Sequence, residues 1–422
     1  MEVTRRAGLL AVIGPGLLVA ATGVGAGDLA TGAFTGNQLG TAVLWAVLVG
    51  AFIKFVLNEG LTRWQLATGQ TVLEGAVLRL GWPVQFIFGA YFLLWSYFVG
   101  SALISACGVA GHAMFPVFQD PVHGKVVFGI AHSVLGLLLV LAGGFKLFEK
   151  VMSVMVGVMF VTVIATAVLL RPHWADVAAG ILVPRVPQIA GQGLPWTIAL
   201  MGGVGGTLTV LCYGYWIREK GRVDSASLGT CRIDLGVGYA FTALFGLAMV
   251  IIGGSIRVEG SGAGLIVALA DKLAELLGPV GRWIFLIGAW CALFSSLLGV
   301  WQAVPYIFAD FVGLIRHRRS PAAEVRAAVD TRSRPYRVYL FLIAFVPMLG
   351  LLGGFREVQK AYAVFGALFM PLLAMALLLL NGRTAWVGRK MRNRPLTATL
   401  LAATIVFSLV AFAFLARKTY GP

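Results

Sequence analysis

Charge is scarce in this chain: Asp, Glu, Lys and Arg make up 12% of its 422 residues, while 59% are hydrophobic. A soluble domain cannot bury that much apolar surface, so a bilayer has to act as solvent. Cysteine is scarcer still. Cys107, Cys212, Cys231 and Cys291 are widely separated, with no Cys-x-x-Cys or Cys/His pair at zinc spacing, and they read as small apolar packing residues. The five histidines are equally scattered. That removes a preformed His-rich metal site and a nucleophile-His-acid catalytic set, and the chain is not expected to be an enzyme or to need a cofactor. No segment between the apolar runs is large enough to fold as a separate domain.

Acidic residues are the scarcer sign, 17 against 33 basic ones, for a net charge of +16. The bases fall in short runs between apolar stretches, without the aromatic-interleaved face that tracks phosphates, so nucleic acid is excluded as a partner. The expected partners are a lipid bilayer and a small ion or small-molecule substrate; oligomeric state has no signature. Met1–Arg6 ahead of an apolar run has the outline of a signal peptide, but Gly25–Asp28 leads into a further apolar segment, so the run is read as a retained first span.

About 20 apolar residues are needed per helical crossing. Eleven runs qualify, at 8–35, 40–57, 83–110, 125–143, 150–170, 194–217, 233–254, 281–313, 337–354, 358–381 and 396–416. The loops on the N-terminal side hold 23 of the 33 basic residues when Lys54 is counted with them, which predicts a cytoplasmic N-terminus in the cell membrane. Ser320–Pro335 is the one long flexible loop expected.

Two spans are poor continuous helices. The first contains Thr22-Gly23-Val24-Gly25-Ala26-Gly27-Asp28, three glycines and an acid in mid-run; the sixth contains Gly202-Gly203-Val204-Gly205-Gly206-Thr207, followed by Thr209. Each interior glycine costs about 1 kcal/mol relative to alanine, and a mid-bilayer carboxylate adds about 2.5–3.5 kcal/mol on insertion scales. Gly-interrupted helices five spans apart mark inverted-repeat transporters, in which unwound backbone meets the substrate at the midplane. Residues 8–170 and 194–381 are then the two repeats of a single transmembrane domain spanning 1–422, with 396–416 an added helix. The competing reading makes these glycines close-packing contacts, which fits the Gly202/Gly206 spacing but not the triple glycine beside an acid. A phosphate loop fails on context, with no preceding strand and no following Lys-Ser/Thr.

The expected site comprises Thr22, Gly25, Ala26, Gly27, Asp28, Gly205, Gly206, Thr207 and Thr209, with Asp28 as the one candidate metal ligand. Asp28 also has a structural reading as N-cap of the outer half of the first span. Lys54, Asn58 and Glu59 are read as snorkelling or paired at the cytoplasmic end of the second span. Ser295, Ser296, Trp301 and Gln302 on the eighth span read equally as lining or helix-contact residues. Trp82, Trp174, Trp196 and Trp283 read as interface anchors, and Asp234 and Asp310 as solvated or paired with nearby Arg.

Gly14-Pro15-Gly16-Leu17-Leu18-Val19, running into Gly25-Ala26-Gly27-Asp28, resembles the opening of the Nramp family of proton-coupled divalent-metal transporters. Echoes occur at Ala67–Thr71, Leu73-Glu74 and Gly100–Leu103. The resemblance implies an all-α, LeuT-type five-plus-five inverted repeat of about 11 helices, working by alternating access on a divalent metal. It also exposes departures. The family's Asp-Pro-Gly-Asn is matched by Gly25, Ala26, Gly27 and Asp28, its Met-Pro-His falls near Thr209-Val210-Leu211, a tenth-span glutamine falls at Phe369, and two third-span acids fall at Leu94 and Tyr97. Without a thioether ligand the site loses its chemical basis for soft metals, and oxygen ligands suit Mg²⁺, Ca²⁺ or Mn²⁺. A carrier of a non-metal solute or a monovalent ion is the alternative, and a non-transporting membrane sensor is a third, though no output domain is present.

Overall fold

The computed structural model describes residues 13–189, 191, 193–255, 264–316 and 330–420, and every regular element among them is helical. Nine stretches are long and apolar enough to cross a bilayer. Two of them carry two crossings each: Gly27–Thr68 turns at Gly40 (φ 64°), and Pro121–Leu169 breaks at Gly144 (φ 57°). With those two divided, the eleven expected spans are present.

The ends differ from expectation in an instructive way. The second span runs Leu44–Thr68, well past residue 57, because Asn58, Glu59, Thr62, Arg63 and Gln65 are buried with partners in the same helix and on other spans instead of marking water. Glu59 binds Arg63 at 2.7 Å and Arg232 at 2.7 Å, and Arg63 also donates to the Met391 carbonyl. A short amphipathic helix, Val72–Leu80, follows, started by a capping box in which Thr71 and Glu74 exchange side-chain-to-backbone bonds. Most of the long Ser320–Pro335 loop, residues 320–329, lies outside the described residues.

At the centre of the bundle, both halves of the first span pack on the seventh, Leu228–Ser255. Gly36 meets the Val250 carbonyl and Gly253 the Ala33 carbonyl so closely that neither position has room for a methyl group. The eighth span, the part of Gly264–Arg316 beyond a break at Gly278, flanks the inner half. All four cysteines are buried and unbridged. Trp82, Trp174 and Trp283 are exposed as befits interface anchors, whereas Trp196 is half-buried against Phe34.

Buried ion pairs gather where the second and sixth spans end and the seventh begins. Asp234, fully buried, accepts from Arg222 at 2.7 Å, Tyr213 at 3.0 Å and the Gly16 backbone at 2.8 Å. Glu74 pairs with Arg218 at 2.8 Å, and Asp310 accepts from Tyr215 at 2.7 Å. Both acids are buried; Asp234 is paired with Arg222 as one of the two expectations had it, whereas Asp310 is held by the hydroxyls of Tyr215 and Thr71.

Candidate functional site

The first span breaks because its helix runs out at Gly23. Val24 is extended (φ −81°, ψ 94°) and Gly25 more so (φ −138°, ψ −153°), and a new helix starts at Ala26. The break is therefore narrower than the sequence suggests, since Gly27 and Asp28 are helical. Two carbonyls released at the end of the inner half are taken up by the eighth span: Ser296 Oγ donates to Thr22 O at 2.8 Å, and Ser295 Oγ to Ala21 O at 3.3 Å. A Cβ on Gly25 would sit 2.5 Å from Ser296 Oγ, so the hydroxyl and the glycine fit as a pair.

Gly25, not Asp28, is the N-cap of the outer half; Asp28 lies in its first turn. A carboxylate there faces the positive end of the helix dipole. Buried to 6% exposure, it reaches across the bundle to accept the Gly205 N–H at 3.1 Å. Asp28 is thus not the N-cap residue itself: its carboxylate accepts local N–H groups of Gly25 and Asp28 and also bonds the two broken spans to each other.

The sixth span stops at Gly203 and resumes through a tight turn over Leu208–Leu211 into Cys212–Glu219. Gly205 (φ 85°) and Gly206 (φ 81°) are both left-handed, which residues with a side chain rarely adopt, and two such residues in succession turn the peptide groups off the helix axis. The breaks touch through backbone: a Cβ on Gly23 would lie 2.8 Å from the Gly205 carbonyl carbon, and one on Gly206 would lie 3.0 Å from Gly23 Cα. A Cβ on Gly202 would meet nothing within 4 Å, which removes the Gly202/Gly206 close-packing reading.

Lys54 occupies this junction. Its side chain is 1% exposed, and Nζ donates to the Gly202 carbonyl at 3.2 Å and to that of Gly206, with Asp28 as the opposing charge. Snorkelling is therefore wrong for Lys54. It stands ten residues into Leu44–Thr68, about 15 Å along the axis, near mid-bilayer and too deep to reach water. The adjoining half-helices supply no base to Asp28; the second span does.

Of the expected residues, Gly25, Gly27, Asp28, Gly205, Gly206 and Thr207 converge here. Thr207 Oγ1 accepts from Trp95 Nε1 at 3.0 Å and is within hydrogen-bonding reach of Tyr362, whose ring would lie 3.2 Å from a Cβ on Gly27. Thr209 sits in the turn below Gly206. Thr22 contributes its carbonyl to Ser296, while its hydroxyl abuts Gly299 and has no partner among the described residues. Ala26 takes part as the first residue of the outer helix. Lys54, Trp95 and Tyr362 were not in the expected site. Of these only Lys54 had a signal, a lone base inside an apolar run.

Residues 16–417 match the family described as Natural resistance-associated macrophage protein-like. The chain belongs to the Nramp family. It is similar to the divalent metal cation transporter MntH of Verminephrobacter eiseniae, with 26% identity over 88% of each chain. The manganese transporter of Eremococcus coleocola has the same fold: a single-substitution variant of it superposes with a TM-score of 0.78 over 100% of this chain and 90% of that one, at 18% identity. MhsT, solved with L-phenylalanine, superposes at 0.61 with 15% identity over 95% and 98%. The fold is thus the LeuT-type five-plus-five arrangement, and the family is one of secondary transporters, not enzymes.

Among the described residues, no three His, Cys, Asp or Glu side chains come together to hold a metal. Phe369 is buried and stacks on Tyr91 at 5.9 Å, and Leu94 is 50% exposed on the outer surface of the bundle. Neither residue offers a polar group to the junction.

Proposed function

We propose that this Nramp-family protein moves a divalent metal cation across the cell membrane by alternating access, with the cation held at the junction of the two broken spans. Its N-terminus lies in the cytoplasm, residues 8–170 and 194–381 are the inverted repeats, and 396–416 is the added helix. The observation that carries the reading is the buried Asp28 carboxylate, bonded to the Gly205 N–H of the sixth-span break, whose Gly202 and Gly206 carbonyls already hold a cationic group, Lys54. Oxygen donors of this kind select hard cations. One carboxylate is few for a bare divalent ion, but Mg²⁺-like ions keep several waters and use one or two carboxylates. Asp28, the Gly205–Thr207 backbone and the Thr207 hydroxyl are the groups that would face the ion's shell. The relatives named for divalent metal and manganese transport support the same choice of cargo.

A second reading has its own support. Because an ammonium already sits on the break carbonyls, the junction fits a monovalent or organic cation of that size. Proteoliposomes loaded with a divalent-sensitive dye decide between them. Uptake of Mg²⁺ or Mn²⁺ that follows an imposed gradient supports the first reading; uptake of a radiolabelled alkylammonium with no divalent flux supports the second. Protein-free rates for every cation would refute both.

A further inference from the structure

We infer that Lys54 is a tethered cation that fills the cation position of the transport site, so that cargo binds only by displacing its ammonium from the sixth-span carbonyls. The inference deepens the cation reading above and rests on it for the identity of the cargo.

Position comes first. Lys54 Nζ is bonded to the carbonyls of Gly202 and Gly206, the two that bracket the unwound segment, while the Gly205 N–H between them goes to Asp28. Carbonyl oxygens of a broken helix and a nearby carboxylate are what a transported cation uses at such a midplane site. Here the carbonyls are engaged by one side chain, and the carboxylate is its opposing charge. The stem is fixed as well: a Cβ on Gly205 would lie 3.6 Å from Lys54 Cγ and 3.2 Å from Tyr239, whose hydroxyl is held by Asn58 Nδ2 at 3.1 Å. The Lys54 stem thus lies against the Gly205 backbone, with Tyr239 of the seventh span beside it.

Charge points the same way. A purely structural contact at this depth would be made more cheaply by a neutral side chain, because a buried ammonium must be offset by a countercharge and by acceptors. Asp28 and the two carbonyls provide that offset, which leaves the junction electrically neutral when empty of cargo. A divalent ion entering with Lys54 still in place would meet a like charge in a site of low dielectric. The missing family ligands agree with this arrangement, since a site that holds its own cation needs no preformed cluster of metal-binding side chains.

Two measurements test it. The Lys54→Ala protein, purified in detergent, is unfolded thermally with and without n-propylammonium chloride, the fragment that the substitution deletes, against sodium chloride of equal ionic strength. Most of the lost melting temperature should return with propylammonium alone, and none in the Asp28→Asn/Lys54→Ala double variant. Equal effects of the two salts would overturn the inference. Lys54→Met, which keeps the stem and serves if the alanine variant does not fold, is titrated with Mn²⁺ by calorimetry beside the wild type. Removal of the competing charge should tighten binding by about tenfold or more, a factor that like-charge repulsion at contact distances exceeds even at the effective dielectric of protein. Equal, weaker or absent Mn²⁺ binding by folded Lys54→Met would overturn displacement by a divalent ion. Propylammonium rescue does not depend on the cargo, so wild-type vesicles that carry no divalent ion would sink the cargo reading while leaving the tethered cation in place.

Discussion

Gly206→Ala is the substitution that most sharply separates an unwound sixth span from a merely glycine-rich packed helix. Gly206 has φ 81°, and a Cβ there would lie 2.6 Å from Thr209 Oγ1 and 3.0 Å from Gly23 Cα. An alanine held in the left-handed region costs about 1–2 kcal/mol. Forcing a methyl into this contact adds about 1–3 kcal/mol, so the expected loss is about 2–5 kcal/mol. Gly202→Ala is the internal control. It has open space around its Cβ position and a helical backbone, so alanine there should be neutral or stabilising by up to about 1 kcal/mol. Both are read by thermal unfolding of detergent-purified protein, with folded yield as a second measure. If close packing of Gly202 with Gly206 were the reason for the glycines, both substitutions would hurt. A Gly206→Ala protein within about 0.5 kcal/mol of wild type, or Gly202→Ala as the more damaging change, would refute the left-handed turn.

Asp234→Ala leaves the Arg222 guanidinium and the Gly16 N–H without their buried acceptor and should cost about 3–5 kcal/mol, seen as a large fall in melting temperature; a shift within error would mean that Asp234 is not the hub of that contact. Wild-type protein should bind Mn²⁺ more weakly than micromolar, given a lone carboxylate already faced by Lys54, and calorimetry returning micromolar affinity would contradict the geometry at Asp28.

Both breaks were legible because glycine is expensive in a membrane helix, and helix packing alone does not call for three or four of them within six or seven residues, repeated five spans apart. The span count was legible from length and charge. What misled was the end of the second span. Asn58, Glu59, Arg63 and Gln65 look like the edge of the bilayer in sequence, yet Glu59 and Arg63 pair with each other, Arg232 and the Met391 carbonyl, and Gln65 donates to Gly214 O at 2.6 Å. Once the helix continues to Thr68, Lys54 is no longer near an end. Polar residues that satisfy one another across spans cannot be told from solvated ones by composition, because the partners lie well over a hundred positions away. Trp95 and Tyr362 were hidden for another reason. In a chain with 11 Trp and 10 Tyr, no local pattern marks the two that reach Thr207. Asp28 was found, but its partner was not, since a carboxylate in a first turn suggests a local cap before it suggests a bond to another helix.

The most direct test of the account is cation uptake by Asp28→Asn. Because Lys54 faces Asp28, the single variant strands an ammonium, so Asp28→Asn/Lys54→Met, which is neutral at the junction, is measured beside it. Asparagine retains an oxygen that can accept the Gly205 N–H, so the double variant should fold with a melting temperature close to that of Lys54→Met alone. Reconstituted into proteoliposomes with Mg²⁺ or Mn²⁺ outside, wild type should show gradient-driven uptake, and both variants should fall to the protein-free rate. Wild-type uptake by either well-folded variant would contradict the claim that Asp28 and the two breaks hold the cargo.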